Sequence, residues 1–179
     1  MHRCRHYLER VTATVALVST RRNDRAADSS LSPLFHLFTA NQRAHALLNR
    51  AMQDSPLSSE EYAAYSVIFE VDRITPTDFA RSLGLPLTTG LDRVRAMLRR
   101  GHVRKLRNPR DQRSYLIELT EAGRKAHRGA NAHFAPADDR LLAILGPARK
   151  DVSAALVKLM NAAEKALDEL EAAETEAAG

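Results

Sequence analysis

Apolar residues between positions 33 and 52 recur mostly three, four or seven apart along the chain. This spacing places them on one face of an α-helix. The pattern therefore predicts an amphipathic helix over residues 33–52. Its apolar face is made up of Leu34, Leu37, Phe38, Ala44, Leu47, Leu48 and Ala51.

The next helix has a clear N-terminal signature. Ser58 and Glu61 have the spacing of a capping box, in which each side chain accepts a hydrogen bond from the backbone N–H of the other residue. Leu57 and Tyr62 are placed to pack against each other as a hydrophobic staple. We therefore predict a helix over residues 59–71.

A second capped helix start follows at Thr75. The Thr75 hydroxyl suits the N-cap, and Pro76 suits the first helical position. Ile74 and Phe79 have the spacing of another staple. This helix must be short, because Gly84 closes it. Ala80 and Gly84 are the small residues expected to let this helix and the next one cross closely.

A longer helix and a β-hairpin are predicted next. The helix opens near Pro86 and ends at Gly101, a residue that suits a helix C-terminus. Two extended runs, residues 102–107 and 114–120, follow it, and the charged, turn-like residues 108–113 join them. This order is typical of a hairpin.

Two helices are predicted after the hairpin. Thr120 caps one that runs to about His133, and Pro136 begins a long final one. Apolar residues of the final helix alternate four and three apart. Such a heptad-like stripe needs a partner helix, in the same chain or in a second copy, although an ordinary buried face has a similar period. The stripe consists of Val152, Leu156, Leu159, Ala163, Ala166 and Leu170.

Composition narrows the class of protein. The 179 residues, of which 44% are hydrophobic and 27% charged, fit one globular domain with tails. No apolar run approaches the roughly 20 residues of a membrane-spanning helix. Cys4 is the only cysteine, which excludes an intramolecular disulfide framework and a Cys-paired zinc site. We therefore expect a cytoplasmic protein with no membrane partner.

The net charge of +5 is unevenly placed along the chain. Residues 73–128 contain fourteen Lys and Arg against five acids, a net charge of +9. The flanking segments 30–72 and 129–179 are acidic, at −3 and −4. Clustered positive charge indicates a surface for a polyanion, although a solvated basic face would have the same composition.

The first 29 residues form a separate basic segment. Its apolar stretch, residues 11–18, contains two Thr and is followed by two Arg instead of a small-residue cleavage site, unlike a signal peptide. We predict a mobile basic arm over residues 1–29.

Two short helices joined through Gly84 and followed by a basic hairpin have the order of a winged helix-turn-helix. Five runs of sequence resemble the MarR (multiple-antibiotic-resistance regulator) family in order and spacing. The similarity covers residues 34–170 in layout and 57–128 in motif. The five runs are LSSEEY at 57–62, TPTDFARSLGL at 75–85, RGHV at 100–103, NPRDQRS at 108–114 and LTEAGR at 119–124.

The resemblance implies a mainly α protein in which a winged helix-turn-helix lobe, residues 57–128, is joined to a helical dimerisation domain. The N-terminal helix, residues 30–56, and the C-terminal helices, residues 129–179, would form that dimerisation domain. It also implies a homodimer that binds a pseudo-palindromic operator in double-stranded DNA. The resemblance favours a repressor over an activator, and it implies that a small aromatic effector releases the repression.

The helix predicted over residues 86–101 would be the recognition helix. Val94 and Met97 are expected to face inward and Leu91 outward, although a stripe of Leu91, Val94 and Leu98 leaves the register open by one residue. Gly90 and Arg93 depart from the apolar residues that the family usually has there. Thr and Arg suit contacts to base edges, and Asp92 suits a contact to cytosine or the orientation of an Arg. The candidate DNA-binding residues of this helix are Thr88, Thr89, Asp92, Arg95 and Arg99.

The hairpin would be the wing. Arg113 lies at the position that, in the family this chain resembles, inserts into the minor groove, whose negative potential attracts Arg. Asp111 is similar to the carboxylate that orients wing arginines, and Arg110 is expected to contact phosphate. Further phosphate contacts are expected from Arg104, Lys105 and Arg107.

Enzymatic interpretations have less support. The seven His show no His-Glu-x-x-His spacing, and no Gly-rich phosphate loop, Ser elbow or carboxylate pair stands out. We predict no catalytic residues, no metal and no cofactor. The alternative to a DNA-binding regulator is a sensor or protein-interaction module on the same fold, which Gly90 inside the recognition helix favours.

The effector site is left open. Tyr62, Tyr65 and Phe69, with His36 or Phe38, could line a cleft for an aromatic molecule, but aromatic residues at this spacing more often belong to a core. The resemblance also raises the hypothesis that Cys4 senses peroxide. Its place in the predicted arm favours an inert thiol.

Overall fold

The computed structural model describes residues 32–177 of the chain, which divides at Ala40 into two units. The predicted arm and Cys4 lie outside the described residues. Of the first unit, only the start of one helix is described. The order of elements is α1 (Pro33–Ala51), α2 (Ser59–Val71), α3 (Pro76–Ser82), α4 (Leu87–Arg99), β1 (Val103–Arg107), β2 (Tyr115–Leu119), α5 (Glu121–Leu145), a 3₁₀ turn (Gly146–Ala148) and α6 (Arg149–Ala177). This mainly helical architecture with one hairpin confirms the predicted fold class.

The N-terminus of α2 has the predicted capping box. The Ser58 hydroxyl accepts a hydrogen bond from the Glu61 backbone N–H at 3.2 Å, and the Glu61 carboxylate accepts one from the Ser58 N–H at 3.1 Å. Two N–H groups that the helix leaves without partners are satisfied in this way. Tyr65 and Ile68 of this helix are fully buried and form part of the core.

The start of α3 is also capped as predicted. Thr75 accepts a hydrogen bond from the Asp78 backbone N–H at 3.1 Å, and Pro76 occupies the first turn. Phe79 is fully buried beneath the helix. Gly84 follows the end of α3 with a φ of +61°, a conformation that favours glycine.

Helices α3 and α4 cross closely at Ala80 and Gly90. A Cβ atom on Gly90 would lie 2.5 Å from the Cβ of Ala80, so the crossing needs a residue without a side chain. The prediction paired Ala80 with Gly84 as the small residues of this contact, which is wrong for Gly84. A Cβ on Gly84 would have no heavy atom within 4 Å, and its role is the positive φ.

The hairpin is part of a small antiparallel sheet. In β1 and β2, Val103 pairs with Leu119 and Arg104 with Glu118, and an isolated bridge joins Ile74 to Ile117. The chain before α3 is therefore bridged to β2 at one residue, Ile74. One face of the sheet closes the core of the lobe, whose buried apolar residues include Tyr65, Ile68, Ile74, Phe79, Val94, Met97, Val103, Ile117 and Leu119.

Helix α5 differs from its prediction. Thr120 caps it as expected, but the helix continues through Pro136 to Leu145. A proline inside a helix removes a single backbone hydrogen bond and here does not end the helix. The break comes instead at Gly146, whose φ of +54° ends the helix, with Pro147 after it.

Helix α6 has little contact with the rest of its own chain. None of its described residues is buried. Within the predicted stripe, Val152, Leu159 and Ala163 are half-buried, whereas Leu156 and Leu170 are exposed. No described helix is both long enough and apolar enough to cross a membrane.

Candidate nucleic-acid interface

The outward face of α4 is the one that the sequence predicted. Gly90, Val94 and Met97 are buried, which decides the register that the sequence left open by one residue. Leu91 was predicted to face outward, but it is half-buried instead of fully exposed. The five predicted DNA-binding residues of this helix, Thr88, Thr89, Asp92, Arg95 and Arg99, are all exposed.

Asp92 and Arg95 form an ion pair on the exposed face of α4. Nη1 of Arg95 lies 2.8 Å from Oδ1 of Asp92, one helical turn earlier. Of the two roles foreseen for Asp92, this geometry favours the orientation of an Arg. The guanidinium of Arg95 is thereby directed along the helix face.

Two further arginines attach α4 to α2. Nη1 of Arg93 donates to the backbone oxygen of Glu60 at 3.0 Å, and Nη1 of Arg100 lies 2.6 Å from Oε1 of Glu61. The hydrogen bond and charge of Glu61 raise the pKa of Arg100. Arg93, a departure from the family pattern, therefore holds α4 against α2 through a polar contact.

A hydrogen bond between a side chain and the backbone shapes the tip of the wing. Oδ1 of Asp111 accepts from the backbone N–H of Arg113 at 2.9 Å. Asp111 therefore fixes the backbone that bears the exposed Arg113, and its predicted orienting role stays a prediction. Arg110 is also exposed.

Asn108 is an organiser of the wing that sequence reasoning missed. It is buried, its Oδ1 accepts from the backbone N–H of Arg110 at 3.0 Å, and its Nδ2 donates to the Ser114 hydroxyl at 2.6 Å. An Asn before a Pro is a known turn signal, so the Asn108-Pro109 pair was the available hint.

The junction between wing and α5 explains the Leu-Thr-x-x-Gly run. The Thr120 hydroxyl donates to the Gly101 carbonyl at 2.7 Å and accepts from the Gly123 N–H at 3.2 Å. A Cβ on Gly123 would overlap the carbonyl oxygen of His102. Gly123 therefore lets α5 begin directly against the start of the wing.

Glu118 and Arg73 are two charged residues that the sequence analysis did not single out. Glu118 of β2 pairs with Arg104 of β1, and the bridge of Ile74 to Ile117 brings Arg73 to the other side of Glu118, so the three residues form one row. Nε of Arg73 donates to Oε2 of Glu118 at 3.1 Å, and Nε of Arg104 donates to Oε1 at 2.5 Å. Burial raises the pKa of Glu118, but the hydrogen bonds and charges of the two arginines outweigh burial and lower it overall.

A cluster of aromatic rings packs between α2 and α5. The ring of His127 stacks on Tyr62 and on Phe69, with centroids 5.3 and 4.4 Å apart, and Tyr62 also contacts Phe134. These residues line a cavity of about 660 Å³. Tyr65 is part of the core instead, where burial raises its pKa and its hydroxyl contacts Nδ1 of His102 at 2.8 Å.

His127 is held in one neutral form. The Ser66 hydroxyl donates to the Tyr62 carbonyl at 2.8 Å, so its oxygen accepts from Nε2 of His127 at 3.1 Å. Nδ1 is buried and has no hydrogen-bond partner among the described residues. Burial lowers the pKa of His127, because a charged imidazolium would lose its hydration there.

Residues 32–177 contain no group of three or more His, Cys, Asp or Glu side chains that could hold a metal ion. The chemistry available on the wing and α4 is that of exposed guanidinium and hydroxyl groups. Such groups hydrogen-bond to phosphates and to base edges.

Several solved structures that are similar to this chain are transcriptional regulators. The regulator MOSR from M. tuberculosis, solved in complex with DNA, is 25% identical, with a TM-score of 0.63 over 76% of this chain and 98% of that one. Wild-type MarR from E. coli is 22% identical, with a TM-score of 0.57 over 73% of this chain and 97% of that one. A mutant of E. coli MarR in complex with operator DNA is 23% identical, with a TM-score of 0.59 over 70% of this chain and 91% of that one.

No protein-family model matches the sequence, and no curated protein matches it. The solved structures confirm the resemblance drawn from the motifs as a shared fold. The solved structures named above are regulators and not enzymes.

Proposed function

We propose that the protein is a homodimeric transcription regulator that binds double-stranded DNA in a sequence-specific way and acts in the cytoplasm as a repressor. The observation behind this proposal is the exposed Thr and Arg face of α4 beside an arginine-tipped hairpin, all within the segment of net charge +9. A neutral or acidic surface of the same shape would not support it.

Helix α4 is proposed to read bases in the major groove. Arg95, directed by Asp92, suits guanine edges, and Thr88 and Thr89 near the start of the helix suit base edges or phosphates. Arg99, one turn further from the start, suits phosphate. The ties of Arg93 and Arg100 to α2 support this role, since a fixed helix positions its side chains at low entropic cost.

The wing is proposed to read the minor groove. Arg113 is exposed on a loop whose backbone Asp111 holds, so the chain that carries its guanidinium is already ordered, and the negative potential of a narrow minor groove attracts Arg. Arg110 on the same loop is proposed to contact phosphate. These contacts would fix the position of the lobe on the duplex.

Dimerisation is proposed through the N-terminal helix and the C-terminal helices. Helix α6 supports this, because its 29 residues include no buried one and its apolar stripe has exposed members. A second copy would bury that stripe. A twofold axis would then present two lobes to half-sites about one helical turn apart, roughly 34 Å, in a pseudo-palindromic operator.

A small aromatic effector is proposed to release the DNA. The cavity lined by Tyr62, Phe69, His127 and Phe134 supports this, since its stacked rings suit a planar apolar molecule and its volume is about 660 Å³. A molecule bound there would alter the packing of α2 against α5.

The alternative function is that of a sensor or protein-interaction module without sequence preference. Gly90 favoured it at the level of sequence. Its contact with Ala80 gives that glycine a packing role instead, so it no longer favours the alternative.

The decisive measurement is the affinity for the DNA upstream of the protein's own coding sequence, compared with that for a shuffled duplex of equal length. We expect the upstream DNA to bind at least about 10³-fold more tightly at moderate salt. Arg95→Ala should reduce this ratio, whereas Arg128→Ala, which removes the same charge from α5, should not. Equal affinity of the wild-type protein for both duplexes would contradict the proposal.

A further inference from the structure

The outer face of the wing sheet contains a pair of arginines held by a single carboxylate. Glu118 of β2 lies between Arg104, its partner in β1, and Arg73, which directly precedes the bridge of Ile74 to Ile117 on the other side of β2. The Glu118 side chain is 5% exposed, whereas those of Arg73 and Arg104 are 60% and 66% exposed. The arginines therefore cover the carboxylate and turn their free sides to solvent.

Each guanidinium uses one edge for Glu118. Arg73 donates through Nε, and Arg104 through Nε and Nη2. An Arg has five N–H donors in a planar fork, so both side chains retain donors directed away from Glu118. Because Glu118 already holds one edge of each guanidinium group, less side-chain entropy is lost when the other edge binds an anion.

The pair lies in an open groove that contains a further basic residue. A groove of about 540 Å³ on this face includes Arg107 beside the pair and has Leu106 and Leu116 among its apolar residues. The carboxylate that lines it is Glu118, whose charge is already matched. Asp72 also lies beside the pair, with Oδ2 3.7 Å from Nε of Arg73, but it is shared with Arg124. The face therefore retains the positive charge of Arg107 and follows β1 toward the tip that bears Arg110 and Arg113.

We propose that Arg73 and Arg104 form a phosphate clamp that binds the sugar-phosphate backbone of DNA beside the wing, with Glu118 as the residue that positions both. This inference rests on the proposed DNA-binding function and extends the interface from the wing tip along the sheet. The shape argues for phosphodiester, because two guanidinium forks on either side of β2 suit successive anionic groups and the open groove leaves room for a polymer.

The test is the salt dependence of DNA binding by Arg73→Gln and Arg104→Gln. A Gln amide lacks the charge but still has donors for Glu118. Each lost phosphate contact makes the negative slope of log affinity against log salt shallower by about 0.9. When the salt is raised from about 50 to 200 mM, the factor by which affinity falls should therefore be roughly threefold smaller for each variant than for the wild type. Arg128→Gln, which removes an equal charge on α5, should keep the wild-type slope.

Glu118→Gln separates positioning from simple charge. The change raises the net charge by one, so a purely electrostatic role would leave the slope unchanged or make it steeper. A positioning role predicts a shallower slope and weaker binding at low salt, because the two arginines lose their common anchor. Thermal midpoints identify variants that do not fold, and either Arg variant alone suffices for the test.

The outcomes distinguish this inference from the proposed function. Wild-type slopes for both Arg variants, in a protein that binds its upstream DNA selectively, would overturn the clamp and leave the regulator proposal intact. Shallower slopes in a protein with no sequence preference would support the clamp and overturn sequence-specific regulation. A wild-type protein that binds no DNA would overturn both.

Discussion

The Cβ of Ala80 lies 2.5 Å from the position that a Cβ on Gly90 would occupy. Non-bonded carbon atoms pack at about 3.5–4.0 Å, so α3 and α4 cross at a distance that only glycine permits. The residue that looked like a defect in the recognition helix is what allows α4 to rest on α3. The exposed face of α4 is set by this contact.

Gly90→Ala should therefore destabilise the protein despite the higher helix propensity of Ala. Overpacking of this kind costs about 1–3 kcal/mol, and the two helices must move apart. The midpoint of urea unfolding measures the effect. The double variant Ala80→Gly/Gly90→Ala should recover part of the loss, less about 0.5–1 kcal/mol for a glycine in α3. A single variant as stable as the wild type would contradict the close crossing.

Gly123→Ala should be more damaging, since the added methyl group would overlap the backbone carbonyl of His102, which cannot rotate away. We expect a loss on the order of 3 kcal/mol in the free energy of unfolding, at the upper end for overpacking. Gly129→Ala in the same helix is the control. Its new Cβ would meet only a side-chain atom of Pro56 at 3.3 Å, so its stability should stay within about 1 kcal/mol of the wild type.

Stability should decrease in mildly acidic solution because of His127. Its pKa is lowered in the folded state, chiefly by burial, with Arg128 adding to this and Glu70 opposing it. The unfolded chain therefore binds the proton more readily, and the stabilisation is complete above pH about 6.5 and is lost as the pH falls through the lowered pKa. Thermal midpoints between about pH 8 and pH 5 should fall less for His127→Phe than for the wild type. Parallel pH profiles would refute this.

Arg113→Ala should weaken binding to the upstream DNA by about 1–3 kcal/mol if the wing reads the minor groove. The fold should be unaffected, because Asp111 bonds to the backbone of residue 113 and not to its side chain. Fluorescence anisotropy at fixed salt measures the loss. Arg128→Ala has the same charge change away from the wing and should lose far less. Equal losses for both variants would show that only net charge matters.

Local signals in the sequence were sufficient for most elements of the fold. Side chains that bond to nearby backbone, as Ser58, Thr75 and Thr120 do, act within a few residues, so their positions along the chain reveal helix starts. The one helix boundary read from a proline alone, at Pro136, was wrong. Proline disfavours a helix interior without forbidding it, and the packing around a helix decides the outcome.

By itself, the sequence determined the order of elements, the basic segment and the arginines of the wing tip, because propensity, capping and charge are properties of short stretches of chain. Only the tertiary structure decided the register of α4, the role of Gly90, the burial of His127 and the row of Arg73, Glu118 and Arg104. Each of these depends on groups from elements distant in sequence. Contacts of that kind are fixed by packing, since no short-range pattern records which strand or helix will lie opposite another.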